Sequence, residues 1–195
     1  MNFLAHAYLS GDNDKILIGN FIGDFVKGKK FNNYDEDVQK GIIIHREIDR
    51  FTDTHKVVQH SKSILTEKYR HYSGVIVDIF YDHILAKNWE NYHQNDLLSY
   101  TNQVYDRLLA HEQMLPSRVK QMLKYMIPDN WLFNYSFLEG IQRVLNGMSN
   151  RTKFDSGMEH AVEDLEIHFD EFQDDFVKFF PDLINFVDSL QNKQE

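Results

Sequence analysis

The 195-residue sequence contains no cysteine. Disulfides, thiolate metal centres, zinc ribbons and cysteine nucleophiles are therefore excluded. Any metal must be held by His, Asp, Glu or Asn, a donor set that suits Mn, Mg, Fe or Zn rather than copper(I) or an iron–sulfur cluster. Proline is nearly as scarce, with Pro116, Pro128 and Pro181 alone, and there is no low-complexity stretch or internal repeat. No apolar run approaches the roughly 18–20 residues that span a bilayer. The opening segment, MNFLAHAYLS, has neither the basic start nor the long apolar stretch of a signal peptide. A soluble, cytoplasmic protein without membrane association is expected. Positive charge is also short: 21 Lys and Arg face 30 Asp and Glu, a net charge of −9. That balance argues against a general nucleic-acid binder.

What is present is apolar and helical. Hydrophobic residues make up 42% and aromatics 14% of a chain long enough to bury one sizeable core. Strand patterns are weak, whereas apolar residues recur at intervals of three and four. Helices are predicted over about 2–9, 15–27, 36–58, 61–71, 75–92, 95–112, 116–127, 134–148, 157–179 and 181–191. Asp35 caps the third, Gly28 stops the second, and Pro181 sits in the first turn of the last. Short connections between antiparallel neighbours give one all-α domain over 1–195, with residues 191–195 as a frayed tail.

Four of these apolar helices hold polar pairs one turn apart. GVIVDIFYDHILAKNW (74–89) is apolar nearly all round, yet contains Asp78, Asp82 and His83. A buried carboxylate has to be paired, protonated or bound to a metal. Two carboxylates at i, i+4 have Cβ atoms about 5–6 Å apart and repel unless a cation lies between them. MNFLAHAYL pairs Asn2 with His6. IGNFIGDFVKGKK pairs Asn20 with Asp24 and Gly19 with Gly23; each glycine weakens a helix by about 1 kcal/mol relative to Ala, so something must approach that backbone closely, a second helix or a ligand. GIIIHREIDRFTD pairs His45 with Asp49, and Asp53 follows one turn on. Side chains projecting inward from facing helices are how bundles build metal sites. The candidate set is His6, Asp24, His45, Asp49, Asp78, Asp82 and His83. Lys27, Lys29, Lys30, Arg46 and Arg50 form a cationic fringe beside two of these helices, and Arg143 and Arg151 carry a weaker signal in IQRVLNGMSNR.

The segments MNFLAHAYLS, GNFIGDFVKG, GIIIHREIDRFTD, VDIFYDHILAKNW and IQRVLNGMSNR, in this order and spacing, closely resemble the acyl carrier protein phosphodiesterase family. The resemblance runs from Met1 to about residue 180. It implies an all-α hydrolase distantly similar to HD-domain phosphohydrolases, with manganese as its metal. The implied reaction removes the 4′-phosphopantetheine arm from holo acyl carrier protein, giving the apo protein and free 4′-phosphopantetheine. Two departures stand out: Tyr8 occupies a position where a second histidine is expected, and the adjacent pair runs Asp82–His83 rather than His–Asp. For this chemistry Asp24, Asp78 and Asp82, with His6 or His45, are expected to hold the metal. His83 or the remaining histidine is expected to protonate the leaving oxygen. Lys27, Arg46 and Arg50 are expected to meet the phosphate and the acidic carrier protein. A phosphohydrolase of nucleotides or other small phosphate esters, and a helical module that binds the carrier protein without cleaving it, are the alternative readings.

Overall fold

The computed structural model describes residues 1–192, and its regular structure is entirely helical among them. The helices are α1 (Phe3–Tyr8), α2 (Asp14–Ile22), α3 (Glu36–Thr54), α4 (Lys56–Tyr69), α5 (Ser73–Lys87), α6 (Leu97–Ala110), α7 (Ser117–Met126), α8 (Trp131–Asn134), α9 (Leu138–Ser149), α10 (Ala161–Ile167) and α11 (Phe169–Asn192). Short 3-10 turns at Gly23–Phe25 and Gly28–Asn33 link α2 to α3. The all-α expectation is met.

The central element is α5, with Ile76, Val77, Ile79, Phe80, Tyr81, Ile84 and Leu85 all buried. A helix that is apolar all round belongs in the middle of a bundle. α2 and α3 pack backbone to backbone. A Cβ added at Gly19 would lie 2.2 Å from the Val38 carbonyl oxygen, and one at Gly41 would lie 2.3 Å from that of Ile16. The glycine at position 19 therefore serves a helix–helix contact. α11 covers another side of α5 through Phe172, Phe176, Phe179 and Phe180, all fully buried. Buried Asp175 ties it in place, accepting hydrogen bonds from Ser61 Oγ and His60 Nδ1 at 2.7 Å each.

Element boundaries differ from expectation in several places. The helix predicted over 15–27 ends at Ile22 rather than at Gly28, and Asp24 lies in the 3-10 turn that follows. The helix predicted over 36–58 is two: His55 adopts an extended conformation and its side chain accepts from the Val57 N–H as the N-cap of α4. The segments 157–179 and 181–191 regroup as α10 and a continuous 24-residue α11 with Pro181 inside it. An internal proline destabilises a helix by about 3 kcal/mol. Burial of Phe179, Phe180, Leu183 and Val187 around it, at about 1.5–3 kcal/mol per side chain, outweighs that. Gln191 and Asn192, expected in a frayed tail, are the last residues of α11, and Gln191 Nε2 donates to the Leu9 carbonyl. Lys193–Glu195 lie outside the described residues.

Candidate metal centre and cavity

His6 on α1, and His45 and Asp49 on α3, present ligand atoms that all lie within 4.8 Å of one another. The two imidazoles stack with centroids 4.0 Å apart and planes at 19°. His6 Nε2 lies 3.2 Å from Asp49 Oδ1. His45 Nε2 lies 3.2 Å from Asp49 Oδ2 and 3.3 Å from Asp24 Oδ1. Gly23 makes this possible, because a Cβ there would sit 2.2 Å from His45 Cγ.

Asn20, fully buried on α2, sets both rings. Its side-chain amide donates to the His6 carbonyl and to Ser10 Oγ. That leaves Oδ1 to accept from His6 Nδ1 at 2.8 Å. The Asn20 carbonyl accepts from His45 Nδ1 at 2.7 Å. A carbonyl oxygen only accepts, so each histidine carries a proton on Nδ1 and turns Nε2 toward the cluster. Histidine metal ligands are oriented in the same way by their second nitrogen. The Nε2 atom of His6 is buried with no hydrogen-bond partner, its approach to Asp49 being poorly angled for one. Two imidazole lone pairs facing carboxylates repel unless a proton or a cation lies between them. The donor set thus fits a divalent ion that accepts nitrogen and oxygen ligands.

The electrostatics separate the two rings: His6 keeps its Nε2 lone pair, whereas His45 holds a proton on Nε2 toward Asp24 and Asp49, in the position a cation would take. Burial and the neighbouring His45 hold His6 below its ordinary pKa, so it is neutral. Burial acts in the same sense on His45, but hydrogen bonds to Asp24 and Asp49 prevail and push it up to about 9. Burial opposes the charge of Asp49, yet His45 and His6 hold its pKa well below the carboxylate range. Asp78 lies beside this group: the Met1 α-ammonium is 3.0 Å from Asp78 Oδ1 and 3.6 Å from Asp49 Oδ1.

The cluster opens into a cavity of about 560 Å³ whose walls include Asp24, Asp49, Asp53 and Asp78 on one part and Met122, Trp131, Arg143, Val144, Met148 and Arg151 on another. The size is that of a ligand cleft with mixed polar and apolar walls.

The structure therefore brings together His6, Asp24, His45, Asp49 and Asp78. It does not bring Asp82 or His83 to the cluster. Both Asp82 oxygens are engaged by backbone: Oδ2 accepts from Leu4 N at 2.7 Å, and Oδ1 accepts from Asn2 N and Ala5 N at 3.3 Å each. The expected metal ligand is instead an N-cap supplied across the fold. Burial raises its pKa to about 7 against the pull of those N–H groups. His83 turns the other way, donating from Nδ1 to the Tyr135 carbonyl at 2.6 Å with its ring edge toward Phe169. The expected proton donor is therefore engaged with Tyr135 and Phe169 rather than with the cluster.

The cationic fringe is altered too. Arg46 donates to the carbonyls of Val26 and Gly28 and lies over the Phe31 ring, fastening the link between α2 and α3. Arg50 pairs with Glu47. Lys27, Lys29 and Lys30 are exposed. Tyr8 is packed against Trp89 and Phe180 and donates to the Tyr92 carbonyl. Asp49 earns a larger part than the carboxylates of α5, and its signal was the i, i+4 spacing from His45. The cavity walls from α8 and α9 had only the faint signal of Arg143 and Arg151.

The family model for acyl carrier protein phosphodiesterase matches residues 1–183. The chain belongs to the acyl carrier protein phosphodiesterase family. Among relatives named acyl carrier protein phosphodiesterase, that of Yersinia enterocolitica is 31% identical over 195 residues, covering all of both chains. That of Photorhabdus laumondii is 32% identical over 182 residues, 93% of this chain and 92% of its own. That of Klebsiella pneumoniae is 29% identical over 195 residues, 98% and 100% of the two chains. No solved structure gives a significant match. No helix among the described residues is long and apolar enough to cross a membrane.

Proposed function

We propose that this protein is a metal-dependent phosphodiesterase that hydrolyses the 4′-phosphopantetheine arm from holo acyl carrier protein in the cytoplasm, restoring the serine hydroxyl of the apo protein. Membership of the family across residues 1–183 carries the reading. The His6–His45–Asp49 cluster at the wall of a ligand-sized cavity supports its metal dependence.

His6 Nε2, His45 Nε2 and the Asp49 carboxylate are the primary ligands, with Asp24 adjoining from the turn after α2. The proposed ion is Mn²⁺. When bound, it supplies Lewis acidity, lowering the pKa of water from 15.7 towards ~7 and offsetting phosphoryl charge. The chain's own residues supply position. Asn20 locks both imidazoles as Nδ1–H tautomers, and Asp82 holds the start of α1 so that His6 stays in register. Asp78, half-buried on the cavity wall, is the side chain placed to take a proton from water at the cluster. The apolar walls around Trp131, Val144 and Met148 accommodate the arm and limit the entry of solvent.

The test is the intact mass of holo acyl carrier protein incubated with the protein in Mn²⁺ or in chelator. Loss of the arm's mass in Mn²⁺ alone is expected. An unchanged mass in both, with turnover of free nucleotides, would contradict the reading.

A further inference from the structure

α9 turns a single stripe to the cavity. Gly140, Arg143, Val144, Gly147 and Met148 line it from one face of the helix, and Arg151 lines it from the turn just past the helix end. Arg143, Gly147 and Arg151 are spaced four residues apart. Arg151 folds back along the helix: its Nε donates to the Gly147 carbonyl at 2.9 Å. A Cβ added at Gly147 would meet only the Arg151 guanidinium, at 3.5 Å. The Arg151 guanidinium therefore lies over Gly147, one turn from Arg143, with no side chain between.

Three of the five other arginines in this acidic protein have partners. Arg50 pairs with Glu47 and Arg107 with Asp14, and Arg46 is committed to carbonyls. Neither Arg143 nor Arg151 takes part in a salt bridge among the described residues, although the chain carries 30 carboxylates. Asp129 is the one carboxylate on the cavity wall outside the cluster's side, and it engages neither. Two like charges converging on a cleft are stabilised by an anion between them, and a planar guanidinium matches the oxygens of a phosphate.

We infer that Arg143 and Arg151, spaced by Gly147, form the phosphate-recognising wall of this cavity. They hold the phosphodiester of the arm while the other wall presents the metal ligands. This rests on the proposed function for the identity of the ligand. It moves anion recognition from the Lys27–Arg46–Arg50 fringe to α9.

The test uses Arg143→Gln, Arg151→Gln and Gly147→Leu in the full-length, Mn²⁺-loaded protein. Leucine at 147 keeps both arginines but inserts a side chain between them, and it favours the helix. Each variant is expected to raise KM for holo acyl carrier protein at least tenfold and to weaken inhibition by free 4′-phosphopantetheine to a similar degree. Mn²⁺ affinity by titration is expected to stay within twofold of wild type, with an unchanged melting temperature. Binding of inorganic phosphate is measured in parallel and should be lost in the double Arg143→Gln, Arg151→Gln variant. Phosphate bound equally by wild type and double variant, or KM within twofold of wild type in all three single variants, overturns the assignment. A wild type that binds phosphate through these arginines but leaves the carrier protein intact supports the anion wall and overturns the proposed substrate.

Discussion

At the scale of single residues, Asn20 explains more of the site than any charged group. Its three side-chain hydrogen bonds and its carbonyl fix two histidines from two other helices. Outer partners of this kind typically change metal affinity by about 10–100-fold. Asn20→Ala is expected to weaken Mn²⁺ binding by about that factor, measured by titration, with activity restored at high Mn²⁺. Asp49→Asn removes a proposed ligand and is expected to abolish binding at the same concentrations. His83 gives a prediction of a different kind. Burial lowers its pKa in the folded state, while the unfolded chain keeps an ordinary value of about 6.5. Below that pH the unfolded state takes up a proton that the folded state refuses, so stability falls as pH drops through about 6.5. Urea unfolding at pH 7.5 and 5.5 should show this loss, and His83→Gln should reduce it. An equal acid loss in both proteins would mean that His83 does not contribute.

At the scale of elements, α1 is the least self-sufficient part of the site. Six residues form no stable helix alone, and its own N-cap residue, Asn2, makes no capping bond. Asp82, 80 positions along the chain from Asn2, does the capping. Asp82→Ala leaves buried N–H groups unpartnered and is expected to destabilise the protein by about 3 kcal/mol. Metal titration separates this from a ligand role: Asp82→Ala should lower the melting temperature markedly while the folded protein keeps its Mn²⁺ affinity, whereas Asp49→Asn should lose Mn²⁺ binding. Gly23→Ala is expected to displace the His45 ring and cut activity at least a hundredfold, because the clash at 2.2 Å falls on the ring itself. Activity of Gly23→Ala near wild type would show that the ring has room to move.

At the scale of the whole molecule, the period of the apolar residues gave the all-helical class directly, since that pattern needs no knowledge of partners. The pair His45 and Asp49 was legible for the same reason, since it lies on one turn of α3, whereas Asp24 reaches the cluster from the 3-10 turn after α2. Which buried carboxylate meets the cluster was not legible. Asp78 and Asp82 share a helix face, but one faces the cavity wall and the other faces the start of α1, and only the packing of α1 against α5 distinguishes them. Pro181 misled because helix rules are local, whereas four buried side chains on α11 decide its continuity. The α9 wall was nearly invisible, because its arginines acquire meaning only when α9 is laid across the cavity. The chain's net charge of −9 sets a condition on any acidic partner: long-range repulsion must be offset by a few local cations. Such attraction is screened by salt, and KM for holo acyl carrier protein is expected to rise with ionic strength.

The proposed centre is His6, His45 and Asp49, which would hold the ion on which removal of the arm depends. Its most direct test follows the mass of holo acyl carrier protein over time with wild type and Asp49→Asn at equal Mn²⁺, alongside Mn²⁺ titration of both. The account predicts loss of the arm by wild type, none by a folded Asp49→Asn, and Mn²⁺ bound by the wild type alone. Full activity or full Mn²⁺ binding in Asp49→Asn would contradict it.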